Sequence, residues 1–302
     1  MGLSPPEVTT VTRWWSTQPP ADGYWGPSTS SIDWCEANYA VTRYIAEFTN
    51  TLSNVVFVSL ALYGLRKCRD ENLPLPLALC QVGIASIGLG SFLFHATLRY
   101  EWQLGDELPM IFSSALSAYV VFDTGRASQP RTWLVRCVPF LLCLYSFAVA
   151  AVYLRYPNPV FHQVAFGTLQ LISTFRSVYT IRTAPEATYR EKKNKADIIR
   201  FQTAAFFISL TGFLIWNIDN LFCDQLSLLK QYLGVPYSFV VEGHAWWHLA
   251  MGAGAYLGTV ALQLMSLSLK EGADGVEIKH GGIFGLCPYV ARIPTKMQPK
   301  LD

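Results

Sequence analysis

A chain of 302 residues that is 51% hydrophobic and only 15% charged departs from ordinary globular domains, in which about a quarter of residues carry charge. That deficit, with a mean hydropathy of +0.26, fits a chain bathed in acyl chains, where an exposed charge is costly. A net charge of only +2 excludes a nucleic-acid partner argued from bulk electrostatics.

The N-terminal stretch MGLSPPEVTTVTRWWSTQPP has no apolar h-region, so no cleaved signal peptide is expected there. Pro6 stands where a myristoylation signal requires Ser or Thr. The stretch is read as a polar tail, the first part of an N-terminal segment over 1–43. DWCEANYAVTRYIAEF follows and gathers Asp33, Glu36, Asn38 and Glu47. Hard oxygen donors packed this closely suit Ca²⁺. A solvated acidic loop whose carboxylates cap a helix explains them as well.

Apolar runs of about the 20 residues that cross a bilayer then recur seven times. They lie near 45–65, 77–98, 107–123, 133–154, 159–181, 200–222 and 241–268. Glu47, Asn50 and Asn54 dilute the first, and the third is short. Lipid leaves no partner for open sheet edges, so these runs must be helical. The expectation is an all-α polytopic membrane protein, a seven-transmembrane-helix bundle over 44–269, with a tail over 270–302. Connections are short except for the basic stretch RTAPEATYREKKNKADIIR at 182–200. The loops after spans one, three and five plus the C-terminal tail hold 17 Lys and Arg, against five in the N-terminal tail and the other loops. By the positive-inside rule the C-terminus is cytosolic and the N-terminus lumenal. Of seven cysteines, only Cys35 and Cys223 then face the lumen. An oxidising lumen permits a bridge between them; two free thiols are the other reading.

HAWWH places His244 and His248 one helical turn apart on one face. A metal, a haem, backbone hydrogen bonds or a proton path would all accept such a pair. His95 closes span two at the same lumenal depth, and Asp106 opens span three beside it. Three histidines with an adjacent carboxylate match a catalytic zinc site, with three protein ligands and one open position. Ser91 lies one turn before His95, where a small residue would help helices pack and a hydroxyl could serve an oxyanion. His162, near the lumenal start of span five, is expected to be structural, a supporting place beside the metal ligands being the other reading, and His280 is expected to be surface. Trp246 and Trp247 suit interfacial anchors; a wall for a lipid-binding groove is the other reading for one of them. Asn217, Asp219 and Asn220 of WNIDN are too polar for lipid and are expected to hydrogen-bond inside the bundle.

GYWG (23–26), DWCEANY (33–39), YIAEF (44–48), FHATLRYEWQLGDELPM (94–110), WNIDN (216–220) and HAWWH (244–248) together resemble the alkaline ceramidases. These are seven-helix intramembrane amidases of the endoplasmic reticulum and Golgi, in a superfamily that includes the adiponectin receptors. The resemblance spans about 23–268 and looks closer to a fungal-type member acting on phytoceramide and dihydroceramide.

The resemblance implies zinc on His95, His244 and His248, with Ser91 and Asp106 as catalytic partners. It implies Ca²⁺ on Asp33, the Trp34 carbonyl, Glu36, Asn38 and Glu47, and a disulfide between Cys35 and Cys223. It implies a ceramide substrate taken from the bilayer, near Trp247 and Phe166. Phe166 is a departure, because animal relatives place a substrate-holding tyrosine there. Hydrolysis at alkaline pH, and its reversal, are expected without an obligate protein partner. A lipid-responsive receptor of the same superfamily with a structural zinc is the alternative, and a transporter using the histidines as a proton relay is another.

Overall fold

The computed structural model describes residues 23–124 and 133–294. The polar stretch 1–22, the basic positions Arg126 and Arg131, and the tail residues 295–302 lie outside the described residues. The described chain is mostly helical. Its helices are α1 (Phe48–Asp70), α2 (Leu75–Thr97), α3 (Tyr100–Asp123), α4 (Trp133–Arg155), α5 (Pro159–Arg182), α6 (Tyr189–Leu221), α7 (Cys223–Leu233) and α8 (Gly243–Lys270).

Seven of these match the expected runs. Five, namely α1, α2, α4 from Val135, α6 and α8, are long and apolar enough to cross a membrane. The other two are diluted. Glu101, Asp106 and Glu107 sit in α3, while His162, Arg176 and Arg182 sit in α5.

Three features depart from the expectation. The helix α6 begins well before position 200, because Thr188 and Glu191 form a capping box: each side chain accepts the other's backbone amide, at 3.1 and 2.9 Å. The basic stretch is therefore largely helix. A short α7 with no buried residue is inserted before the last long helix. The fold is also not purely α. After α8 the chain forms an antiparallel hairpin, β1 (Val276–Gly281) with β2 (Cys287–Arg292), in register Val276 to Arg292 and Gly281 to Cys287.

The last long helix is the axis of the molecule, packed on α1, α2, α3 and α6. Its second half is buried from Thr259 to Leu267. There Val260, Leu264, Met265 and Leu267 join Leu77, Val120, Ile198 and Phe201 in the main core cluster. Its first half carries polar groups instead, and that difference along one helix locates the site.

Candidate active site

The last turn of α2 places His95, and the first two turns of α8 place His244 and His248. All three are buried. Ring centroids are 5.0 Å apart for His95 and His244, 4.7 Å for His95 and His248, and 4.6 Å for His244 and His248. One ligand nitrogen from each lies within 4.8 Å of the others.

The hydrogen bonds around the rings decide what those nitrogens can do. His95 Nδ1–H donates to Glu47 Oε2 at 2.5 Å, while its Nε2 is buried without a hydrogen-bond partner. His248 Nδ1 is enclosed by Ser53 Oγ at 2.8 Å and the Asn50 carbonyl at 3.2 Å. Its Nε2 lies 3.5 Å from Ser91 Oγ. His244 Nδ1 is buried and unpartnered as well. Buried imidazole nitrogens left unpaired cost free energy, and three histidines converging this way form a set able to hold a metal. A carboxylate contact of the Glu47–His95 kind fixes the tautomer and ring orientation of a histidine that holds a metal.

Ser91 and Asp106 meet because α2 and α3 nearly touch. A Cβ at Gly90 would overlap the Gly105 carbonyl oxygen and crowd the Asp106 amide. That approach brings the Ser91 hydroxyl alongside the Asp106 carboxylate. Next to it, Glu107 ties α3 to its neighbours. Glu107 Oε2 accepts from Gln103 Nε2 at 3.1 Å and from the Tyr153 hydroxyl, and its carbonyl accepts from His162 Nε2 at 2.8 Å. His162 thus fastens α5 to α3 beside Asp106.

The acidic cluster sits directly over the histidines. Glu36 accepts the Thr49 and Asn50 amides at 2.6 and 2.8 Å and so caps α1. Glu47 Oε1 accepts the Trp34 amide at 3.2 Å, and Oε2 accepts Asn50 Nδ2 at 3.1 Å beside His95. Asn38 Nδ2 donates to Asp33 Oδ1 at 3.0 Å, leaving Asn38 Oδ1 buried and unpartnered. Asp33, Glu36 and Glu47 are all buried. Burial, reinforced by the charge of Glu47, pushes the Glu36 carboxyl up to about 7. Mutually repelling buried carboxylates with a spare amide oxygen fit a hard cation. Both sequence readings therefore meet at Glu36, which caps a helix and belongs to an oxygen-rich nest.

A Cys35–Cys223 disulfide pins this segment to the start of α7. The Trp34 ring lies on His244, with centroids 4.1 Å apart. Asp219 of WNIDN accepts the Gly243 amide at 3.1 Å and so sets the first turn of α8, one residue before His244. Trp247 is half-buried beside Trp216, at 6.0 Å, and Phe213, at 6.2 Å. Trp246 is exposed and donates to the Val240 carbonyl at 2.9 Å. Phe166 packs in the α3–α5 layer with Ile111, Ala115, Val149 and Leu169.

Sequence reasoning missed Asn50, Ser53 and Asn54, which surround His248 Nδ1. Their signal was available, since polar residues interrupting an apolar span mark a functional face. In sequence alone the same residues only dilute the span. Glu47→Gln keeps the shape of the bridge to His95 and removes its charge. Metal retention by the histidines should fall about 10–100-fold in a chelator competition, and unchanged retention would detach Glu47 from that role.

A helical chain with several helices apolar enough to cross a membrane, carrying three buried histidines able to hold a metal, belongs to the class of multi-pass membrane proteins with an internal polar site. The sequence model of the Ceramidase family matches residues 26–291, and the chain belongs to that family. It is 36% identical over 279 residues to mouse "Alkaline ceramidase 3", covering 91% of this chain and 96% of the relative. It is 32% identical over 285 residues to the Arabidopsis thaliana "Alkaline ceramidase", covering 92% and 100%. To "Alkaline ceramidase YPC1" of Saccharomyces cerevisiae it is 31% identical over 265 residues, covering 84% and 82%. The yeast relative is no more similar than the mouse one, so these identities do not mark a fungal type.

Proposed function

We propose that this protein is an intramembrane amidase that hydrolyses ceramides to a sphingoid base and a free fatty acid. The observation that carries the reading is the convergence of His95, His244 and His248 with Ser91 and Asp106 in a chain whose relatives are named alkaline ceramidases. In this reading the three histidines hold zinc, and Asp33, the Trp34 carbonyl, Glu36, Asn38 and Glu47 hold a structural Ca²⁺. Protons compete for Glu36 below about pH 7, so the calcium site works best at neutral to alkaline pH.

Zinc held there would supply Lewis acidity and lower the pKa of water toward about 7. The chain's own groups do the rest. Asp106 accepts a proton from the attacking water as the new C–O bond forms. The Ser91 hydroxyl donates to the carbonyl oxygen as negative charge develops on it. Asp106 then returns the proton to nitrogen as the C–N bond breaks. The reverse condensation uses the same groups in the opposite order. Trp247 and Phe166 line the route of the lipid chains. Ser91→Ala should lower turnover by about 10²-fold or more, the usual loss for one oxyanion donor, measured as fatty-acid release. Unchanged turnover would leave Ser91 as a helix-packing residue.

All seven long helices span the bilayer in this reading, with α3 and α5 carrying their polar residues inward. The N-terminal segment 1–43 with its calcium site is lumenal, 44–269 is the hydrolase domain, and 270–302 lies on the cytosolic side of an endoplasmic reticulum or Golgi membrane. Phytoceramide and dihydroceramide are the proposed substrates.

The test is fatty-acid release from ceramide, phytoceramide and dihydroceramide by purified protein at alkaline pH, before and after metal stripping. Zinc should restore the stripped protein, calcium alone should not, and calcium should raise the zinc-restored rate. Full release without metal would remove the metal from the chemistry. Zinc retention with no release from any ceramide would point to a receptor.

A further inference from the structure

The segment after α8 is expected to be a plain cytosolic tail, yet it folds back on the bundle. Three contacts fix its direction along α1. At the open end of the hairpin, the Arg292 amide donates to Glu71 Oε2 at 2.8 Å and its Nε donates to the Glu71 carbonyl at 3.1 Å, just past the end of α1. One step inward, Lys67 Nζ lies 4.5 Å from the centroid of the Tyr289 ring. At the closed end, a Cβ on Gly281 would run into the Tyr63 hydroxyl, and Gly282 also faces the Tyr63 ring. The hairpin therefore climbs along α1 from Glu71 to Tyr63, about 12 Å at 1.5 Å per residue.

A fourth contact comes from the other side. The Tyr256 hydroxyl, halfway along α8, donates to the Pro288 carbonyl at 2.7 Å. Both α1 and α8 are apolar enough to cross a membrane. The strands are well held, because Val276, Val290 and Ala291 are buried and two of these join the main core cluster. Asn194 Nδ2 donates to the carbonyls of Ala273 and Val276 at 3.1 and 3.3 Å.

What the bundle leaves uncovered is the turn. Phe284 is 93% exposed and Leu286 is 75% exposed. Behind the turn, at the level of the α1 terminus, lie the exposed Arg66 and Arg69. Lys and Arg at a helix end with Tyr just inside them mark the membrane surface, and here Lys67 is followed inward by Tyr63 and Tyr256, whose rings are 6.4 Å apart. The apolar turn follows Gly281 and Gly282, which lie at the Tyr63 level, on the bundle side of Lys67.

We infer that the C-terminal hairpin is a re-entrant element whose turn, through Phe284 and Leu286, is seated in the acyl–headgroup boundary of the bilayer. The occupant of this surface is lipid. Apolar faces of interfacial elements sink about 5–10 Å into that boundary, and the step from Lys67 to Tyr63, about 6 Å at 1.5 Å per residue, falls within that depth. The depth also suits a hairpin, since its strands keep their backbone partners against protein while only the turn meets lipid. The basic residues at the end of α1 add attraction to an anionic leaflet.

The experiment places a nitroxide label at Phe284→Cys, with Asp274→Cys at the exposed outer end of the hairpin as the reference. The full chain carries serine at Cys137, Cys143 and Cys287, and is reconstituted in phosphatidylcholine–phosphatidylserine vesicles. Collisions of the label at 284 with oxygen should exceed those with a water-soluble nickel chelate several-fold, and the order should reverse at 274. Nickel collisions dominating at both positions would put the turn in water and overturn the inference. Phe284→Trp gives a second readout with a conservative change. Its added emission, taken against the parent protein, should be quenched by lipids brominated near the headgroup, and no added quenching would count against a lipid-seated turn. Neither readout depends on hydrolysis, so the outcome is separate from the fate of the proposed activity.

Discussion

Purified His244→Ala is expected to lose its zinc and, with it, about three orders of magnitude or more of fatty-acid release from ceramide. The three histidines share one small volume, each buried, and a catalytic site with three protein ligands has none to spare. The charge stabilisation lost with the metal is several kcal/mol, and each 1.36 kcal/mol is a factor of ten in rate. The substitution also removes the surface on which the Trp34 ring lies, so folding must be read separately through the Cys35–Cys223 disulfide and thermal unfolding in detergent. His162→Ala is the matched control. It loses a buried histidine that holds the Glu107 carbonyl and lies outside the three-histidine cluster, so it should keep its metal. Zinc loss from His162→Ala with retention in His244→Ala would overturn the assignment. Retention of metal and full release by His244→Ala would remove HAWWH from the chemistry.

The sequence made some of this visible and hid the rest for identifiable reasons. The i, i+4 spacing of His244 and His248 is a property of one helix, so it could be read directly. The arrival of His95 depended on two helices lying at one depth, which the order of apolar runs along the chain supplied. The helix run was legible because burial in lipid makes it nearly uniform in hydropathy. It was least legible in α3 and α5, where polar residues thin the signal. The polar partners of the histidines were harder. Glu47 is 48 residues from His95, and Ser53 is 195 from His248. Nothing local distinguishes a residue that orients a ligand from one that merely dilutes a span. The hairpin was missed because its strands are short and its burial comes from α1, α6 and α8, none of which is near it in sequence except the last. The capping box at Thr188 and Glu191 is legible in the sequence, but the charge run that follows it gives the stretch the composition of a loop.

The Asp106→Asn protein should keep its metal and lose about 10²–10⁴-fold in turnover. That range is what a positioned proton carrier contributes, and asparagine cannot carry the proton. The substitution is nearly isosteric, and the amide oxygen can still accept from Ser91, so the close α2–α3 contact at Gly90 need not change. Metal content is the discriminating readout. In this structure the nitrogens able to hold a metal come from α2 and α8, whereas Asp106 comes from α3. A role in metal binding and a role in proton transfer therefore fall on different helices and separate cleanly. Loss of metal together with activity would make Asp106 a fourth ligand and leave the reaction without a base. Metal retained with full turnover would shift the proton transfer to another group, and Glu107, already engaged by Gln103 and Tyr153, is badly placed to take it. Only retained metal with lost turnover agrees with water attack assisted by Asp106. In that case Asp106→Asn and Ser91→Ala should also be strongly non-additive, because neighbouring side chains that serve one transition state are coupled.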